Sequence, residues 1–191
     1  MPITLNENAR RLVDSLLDRA EEKRITAASL SCGAMIVDCG VKAVGGLEAG
    51  RILAEICLAG LAKVTFVPAA ASLGGGAAVQ IESDNPVRAC MASQYAGWQI
   101  TGEKYFAMGS GPMRAAAGKE AIFERIGHRE QPPCAVGVLE GKLPPDEVAI
   151  KIATACGVSP KELTLLAART ASIAGTVQVV ARSLETALHK I

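Results

Sequence analysis

Only six of the 191 residues are aromatic: Phe66, Tyr95, Trp98, Tyr105, Phe106 and Phe123. Half of the chain is nevertheless hydrophobic, so Ala, Val, Leu and Ile supply the core, beside 19 glycines. Small side chains let helices and strands approach closely and let backbone reach a ligand. A base-stacking platform for nucleic acid is not expected with so few rings. The length fits one domain or two small ones, with roughly 70% of the unfolded surface buried on folding.

The charges balance, with 20 Lys and Arg against 19 Asp and Glu, for a net charge of +1. A polyanion binder would show a basic excess. A fifth of the residues are charged, which is a globular and not a disordered composition. No uncharged apolar run reaches about 18 residues, so no membrane span is expected. Residues 64–81 come nearest, but they are rich in Gly and Ala and broken by Pro68. The first ten residues lack the basic stretch and apolar core of a secretion signal. Cys32, Cys39, Cys57, Cys90, Cys134 and Cys156 form no CxxC pair, and His128 and His189 are the two histidines. A zinc site is not expected; reduced, mostly buried thiols in a cytoplasmic protein are.

Periodicity predicts mixed strands and helices. An amphipathic helix is expected over 6–23, with Leu12, Val13, Leu16 and Leu17 on one face. Residues 25–30 and 34–38 predict a hairpin, 47–61 a helix, and 64–67 and 77–81 short strands. Asn85-Pro86 opens a predicted helix to about Ala96. Strands follow at 98–100 and 105–108, a tight loop at 109–112, and partial helix over 113–126. A strand over 135–139, a helix over 145–156, a strand over 162–168 and a helix over 175–191 complete the pattern. The fold class is α/β, in its mixed α+β sense, with strand order open.

The last helix carries the clearest chemical pattern. At 100° per residue, Val177, Val180, Leu184, Leu188 and Ile191 make an apolar stripe. Gln178, Arg182, Glu185 and His189 make a polar one, with Arg182 and Glu185 i,i+3 neighbours. Two readings stand at this point: a solvated helix face, or a carboxylate tuned by a guanidinium and facing a pocket. The glycine loops say less. Gly74-Gly75-Gly76 is not GxGxxG, and no Walker sequence or GxSxG occurs. Gly109-Ser110-Gly111-Pro112 with Arg114 could surround an anion or be an ordinary turn. His128 lies in a charged stretch and reads as a surface residue.

Several strings, in order, carry a resemblance. They are Val37-Asp38-Cys39-Gly40, Gly46-Leu47-Glu48-Ala49-Gly50 and Ser93-Gln94-Tyr95-Ala96-Gly97-Trp98. Ala107-Met108-Gly109-Ser110-Gly111-Pro112, Thr170-Ala171-Ser172-Ile173-Ala174-Gly175 and Arg182 through Glu185 to His189-Lys190 follow. Together they resemble the methenyltetrahydromethanopterin cyclohydrolase family over essentially the whole chain. The resemblance implies reversible hydrolysis of a cationic methenyl bridge to the 5-formyl pterin, in methanogenesis or formaldehyde oxidation. It implies an α/β fold of two domains flanking a pocket, a homotrimer, and no metal or cofactor, the tetrahydromethanopterin derivative being the substrate. No nucleic acid or membrane partner is implied.

By the same resemblance Glu185 is the general base and Arg182 its neighbour, holding it ionised and oriented. Gln94, Tyr95 and Trp98 would line the pterin side, Ser110 or Arg114 would meet a polar part of the ligand, and Gln178 would join them. Two departures stand out. Archaeal relatives tend to carry Lys where Tyr95 stands, so the chain looks more like the bacterial branch. Family chains are also about half again as long. On that ground residues 1–191 are expected to be the N-terminal portion of the fold, with an internal boundary unassigned. A C-terminal segment or second chain would then be missing. The alternative is a truncated pterin-binding or assembly module without turnover. A phosphate- or nucleotide-handling enzyme using the glycine loops is a third reading, weakened by the lack of a Walker sequence.

Overall fold

The computed structural model describes residues 4–188 and residue 190. Its frame is a six-stranded mixed sheet in the order β1-β2-β8-β7-β6-β5. The strands are β1 (Thr26–Ser29), β2 (Met35–Gly40), β5 (Trp98–Gly102), β6 (Tyr105–Ser110), β7 (Ala135–Gly141) and β8 (Leu163–Ala168). The central strands β2, β8 and β7 run parallel, and β1, β6 and β5 add antiparallel edges. This is the α/β class expected from sequence.

The central strands are apolar on both faces, as parallel strands covered by helices must be. On β7, Val136 and Val138 face one helical layer while Ala135 and Leu139 face the other. The first layer holds α1 (Leu5–Leu17), α2 (Leu47–Cys57) and the start of α6 (Ile173–Ala181). The second holds α5 (Asp146–Cys156) and the short α3 (Met113–Ala117). The helix expected over 113–126 divides in two, because Gly118 turns left-handed and α4 (Ile122–Ile126) restarts beyond it. Strands β3 (Lys63–Pro68) and β4 (Ala77–Glu82) form a separate two-stranded sheet packed on α2 and α6.

Glycine decides the α2–α6 contact. A methyl group on Gly50 would lie 2.8 Å from Val177 Cβ, 2.9 Å from Ala174 Cα and 2.9 Å from the Ala174 carbonyl oxygen. Backbone cannot move aside as a flexible side chain can. Gly50→Ala is therefore expected to lose about 1–2 kcal/mol in urea denaturation with an unchanged m-value, despite the helix propensity of Ala. A stabilised variant would show that the two helices can separate at no cost.

The helices expected over 6–23 and 47–61 end early, at Leu17 and Cys57, and two others are corrected in kind. The segment expected as an α-helix over 85–96 is a π-helix, Val87–Gln94, whose wider turn shows in Tyr95 N–H donating to the Cys90 carbonyl, five residues back. The single helix expected over 175–191 starts earlier, with Ser172 as its N-cap, and breaks at Arg182 before α7 (Ser183–Leu188). A β-branched pair precedes the break, and the Ser183 hydroxyl donates to the Val180 carbonyl, competing with the backbone ladder. His189 and Ile191 of the expected stripes lie outside the described residues. Among the described residues no helix is long and apolar enough to cross a membrane.

Candidate active site

The stripes that periodicity predicts hold only in part: Val177 is buried and Leu184 and Leu188 pack against the core, as expected. Gln178 and Glu185, from the polar stripe, are buried at 1% and 4% exposure, while Val180 of the apolar stripe is 47% exposed. The polar residues face inward, toward the π-helix and the carboxyl end of β7. There a cleft of about 480 Å³ is walled by Tyr95, Val179, Arg182, Ser183, Glu185 and Thr186.

Glu185 is the buried carboxylate of this cleft. Burial raises its pKa above the ordinary glutamate value, and the nearby charges of Arg182 and Arg114 offset only part of that effect. Arg182 acts on Glu185 in the expected direction, favouring the ionised form, but burial opposes it and is the larger effect. A carboxyl group shifted in this direction takes up a proton more readily than a free glutamate does.

Arg182 makes its ion pair with Glu140, the penultimate residue of β7, at 2.7 Å from NH2 to Oε1. The approach is close but not aligned as a hydrogen bond. It leaves Glu140 Oε1 and Arg182 Nε without hydrogen-bond partners among the described residues. Sequence reasoning passed over Glu140. The available signal was a lone carboxylate closing the apolar run Ala135–Leu139, at the end of a parallel strand where α/β sites gather.

Of the other expected site residues, Tyr95 lies on the cleft wall and four are buried in the packing that supports it. Gln94 donates from Nε2 to the Ala181 carbonyl at 3.2 Å, and its Oε1 is buried without a hydrogen-bond partner. Gln178 donates to Cys57 Sγ at 3.5 Å, and Cys57 Sγ lies 3.5 Å from Ser110 Oγ. Ser110 in turn donates to the Val138 carbonyl at 3.4 Å. Burial pushes the Cys57 thiol up to about 11, so it stays neutral. Arg114 is fully buried and holds Glu120 through Nε and NH2 at 2.8 and 2.5 Å. It also donates to the Met91 and Ser93 carbonyls of the π-helix, and its guanidinium stacks 5.0 Å from the Tyr95 ring. Trp98 stands apart on β5, half-buried against the core on the α5 side, with Lys119 Nζ 5.1 Å from its ring. Among the described residues no group of three His, Cys, Asp or Glu side chains is placed to hold a metal ion.

Comparison with known proteins agrees with the resemblance. The family model described as Cyclohydrolase (MCH) matches residues 4–191. The methenyltetrahydromethanopterin cyclohydrolase of Methylobacillus flagellatus is 46% identical over 98% of this chain and 58% of its own length. Those of Methanosarcina barkeri and Rhodopirellula baltica are each 45% identical, over 98% of this chain and 59% and 57% of theirs. The chain thus spans about three-fifths of the length of the curated relatives it matches.

Proposed function

The chain belongs to the cyclohydrolase (MCH) family, and on that premise we propose that it hydrolyses the methenyl bridge of 5,10-methenyltetrahydromethanopterin to the 5-formyl compound, reversibly. The observation that carries the reading is Glu185, 4% exposed in a cleft beside Arg182 and Tyr95 with its pKa raised by burial. The substrate carbon is an amidinium-like cation, which an ionised carboxylate attracts.

In this mechanism Glu185 takes one proton from water as the new C–O bond forms, giving a neutral tetrahedral adduct. The protonated carboxyl then delivers that proton to the departing nitrogen as the C–N bond breaks. The adduct hydroxyl loses its proton as the formyl C=O forms, so one proton is released overall. Arg182 stabilises oxygen as charge develops on it. Tyr95 offers a ring and a hydroxyl to the reduced pterin, and Gln94, Ser110, Gln178 and Arg114 hold the surrounding walls.

The same proposal includes the finer features that the family resemblance implies. The pocket lies between two domains, the assembly is a cytoplasmic homotrimer, and the pterin is a substrate that needs no separate cofactor. The test is ultraviolet absorbance of the methenyl compound with purified protein against buffer. Loss well above the spontaneous rate is expected; the spontaneous rate alone would refute activity of this chain.

A further inference from the structure

The Arg182–Glu140 pair lacks the fork that two other arginine pairs of the molecule make, and shares its single-point contact with Arg51–Glu55. Arg51 meets Glu48 through two parallel hydrogen bonds at 2.8 and 2.7 Å, and Arg114 meets Glu120 in the same forked way. Such forks satisfy both partners and suit a structural role. Arg182 touches Glu140 at one point, and both side chains are largely buried, at 16% and 10% exposure. Among the described residues, Arg182 Nε and Glu140 Oε1 are left without a hydrogen-bond partner. Buried polar atoms left unpaired are costly and concentrate where function needs them.

The placement gives the pair its meaning. Arg182 sits at the α6–α7 break, so whatever fixes its guanidinium also fixes the turn that delivers Glu185. Glu140 is anchored in β7, one residue from the end of a central strand. The two side chains also stand between clefts. Arg182 lines the one that holds Glu185, and Glu140 lines a second, of about 550 Å³, with Lys104, Lys142 and Arg169.

We propose that Glu140 is a positioning residue of the candidate site: it ties the Arg182 guanidinium to the sheet and, through its own negative charge, offsets part of the effect of Arg182 on Glu185. The inference rests on the reading of Glu185 as the base. Arg182 lies between Glu140 and the cleft that holds Glu185, and the negative charge of Glu140 opposes its effect there. The groups around Glu185 are Arg182 at the end of α6, Arg114 on α3, and Cys90 and Tyr95 of the π-helical region. Around Glu140 they are Arg182, Lys104, Lys142, Arg169 and Glu103. Removing the Glu140 charge acts on Glu185 in one direction by both routes. It takes away a neighbouring anion and frees Arg182, so Glu185 becomes easier to ionise.

The decisive measurement is the titration of Glu185 by NMR of protein labelled with carbon-13 at the glutamate carboxyls. The signal is assigned by its disappearance in Glu185→Gln. In Glu140→Gln, which keeps size and a hydrogen-bond acceptor, the Glu185 midpoint should fall below that of the wild type. An unchanged or higher midpoint overturns the proposal, and this readout does not depend on turnover. Kinetics give a second arm. The acid limb of the Glu140→Gln rate profile should move to lower pH. Glu140→Ala, which also frees the guanidinium, should lose about tenfold in kcat with a smaller change in KM. A lowered melting temperature in both variants with an unmoved acid limb would make Glu140 a structural residue only. If instead Glu185→Gln retains full hydrolysis, the base assignment fails, while the NMR midpoint still decides whether Glu140 controls Glu185.

Discussion

Glu185→Gln is expected to lower the hydrolysis rate by about a thousandfold while the protein stays folded, because an amide can neither take nor return the proton. Full activity in that variant would remove Glu185 from the mechanism. The same substitution has a consequence for stability whose sign is set by burial. Burial raises the pKa of Glu185 above 4.5, against the smaller opposing effects of Arg182 and Arg114. The folded state therefore binds the proton more tightly than the unfolded chain does. The stability that this group contributes is fully present below the unfolded pKa and is lost as pH rises through the folded one. Above that window the wild type carries a buried charge that Glu185→Gln lacks. Melting followed by circular dichroism should show the variant at least as stable as wild type at pH 8, with its relative advantage shrinking in acid. A variant markedly less stable than wild type at pH 8 would mean that the ionised carboxylate is held by attraction and not penalised by burial.

Arg114→Met is expected to be the most destabilising single change near the site. Arg114 is fully buried, donates four hydrogen bonds, and stacks between the rings of Tyr95 and Phe123 at 5.0 and 5.3 Å. Its loss strands the Glu120 carboxylate and two carbonyls of the π-helix. Breaking a buried pair in this way costs about 3–5 kcal/mol, a fall of about 10 °C in melting temperature for a chain of this size. Arg114→Lys should recover little, because an ammonium cannot reproduce the planar fork and the two stacking faces. A loss of less than about 1 kcal/mol in Arg114→Met would mean that the π-helix keeps its shape without the guanidinium. Activity should fall in parallel, since Tyr95 leaves the π-helix directly above this side chain.

The legible parts of this protein are those written as short-range patterns. The strands β2, β7 and β8 appear as apolar runs bounded by turn residues, and α1 and α5 as amphipathic repeats with acidic first turns. The candidate site residues Arg182, Glu185 and Tyr95 fall within the ordered motif strings that carry the resemblance. The π-helix is not legible, since an extra residue per turn leaves no periodicity that differs from a short α-helix over eight residues. Nor is the break at Arg182, because no Pro or Gly marks it. A serine hydroxyl and the demands of packing end the helix there.

From the sequence alone follow the α/β class and the small-residue core, which depend on residue type and on spacing along the chain, while the choice of Glu185 and Arg182 as candidates comes from the family resemblance. Which way that helix faces, and which carboxylate Arg182 holds, belong to the tertiary structure. Glu140 is 42 residues upstream of Arg182, and only the arrangement of β7 beside α6 brings them to 2.7 Å. The burial that lifts the Glu185 pKa likewise comes from the π-helix and α6–α7 closing around it. Desolvation is a property of the surroundings, and no single stretch of sequence contains them.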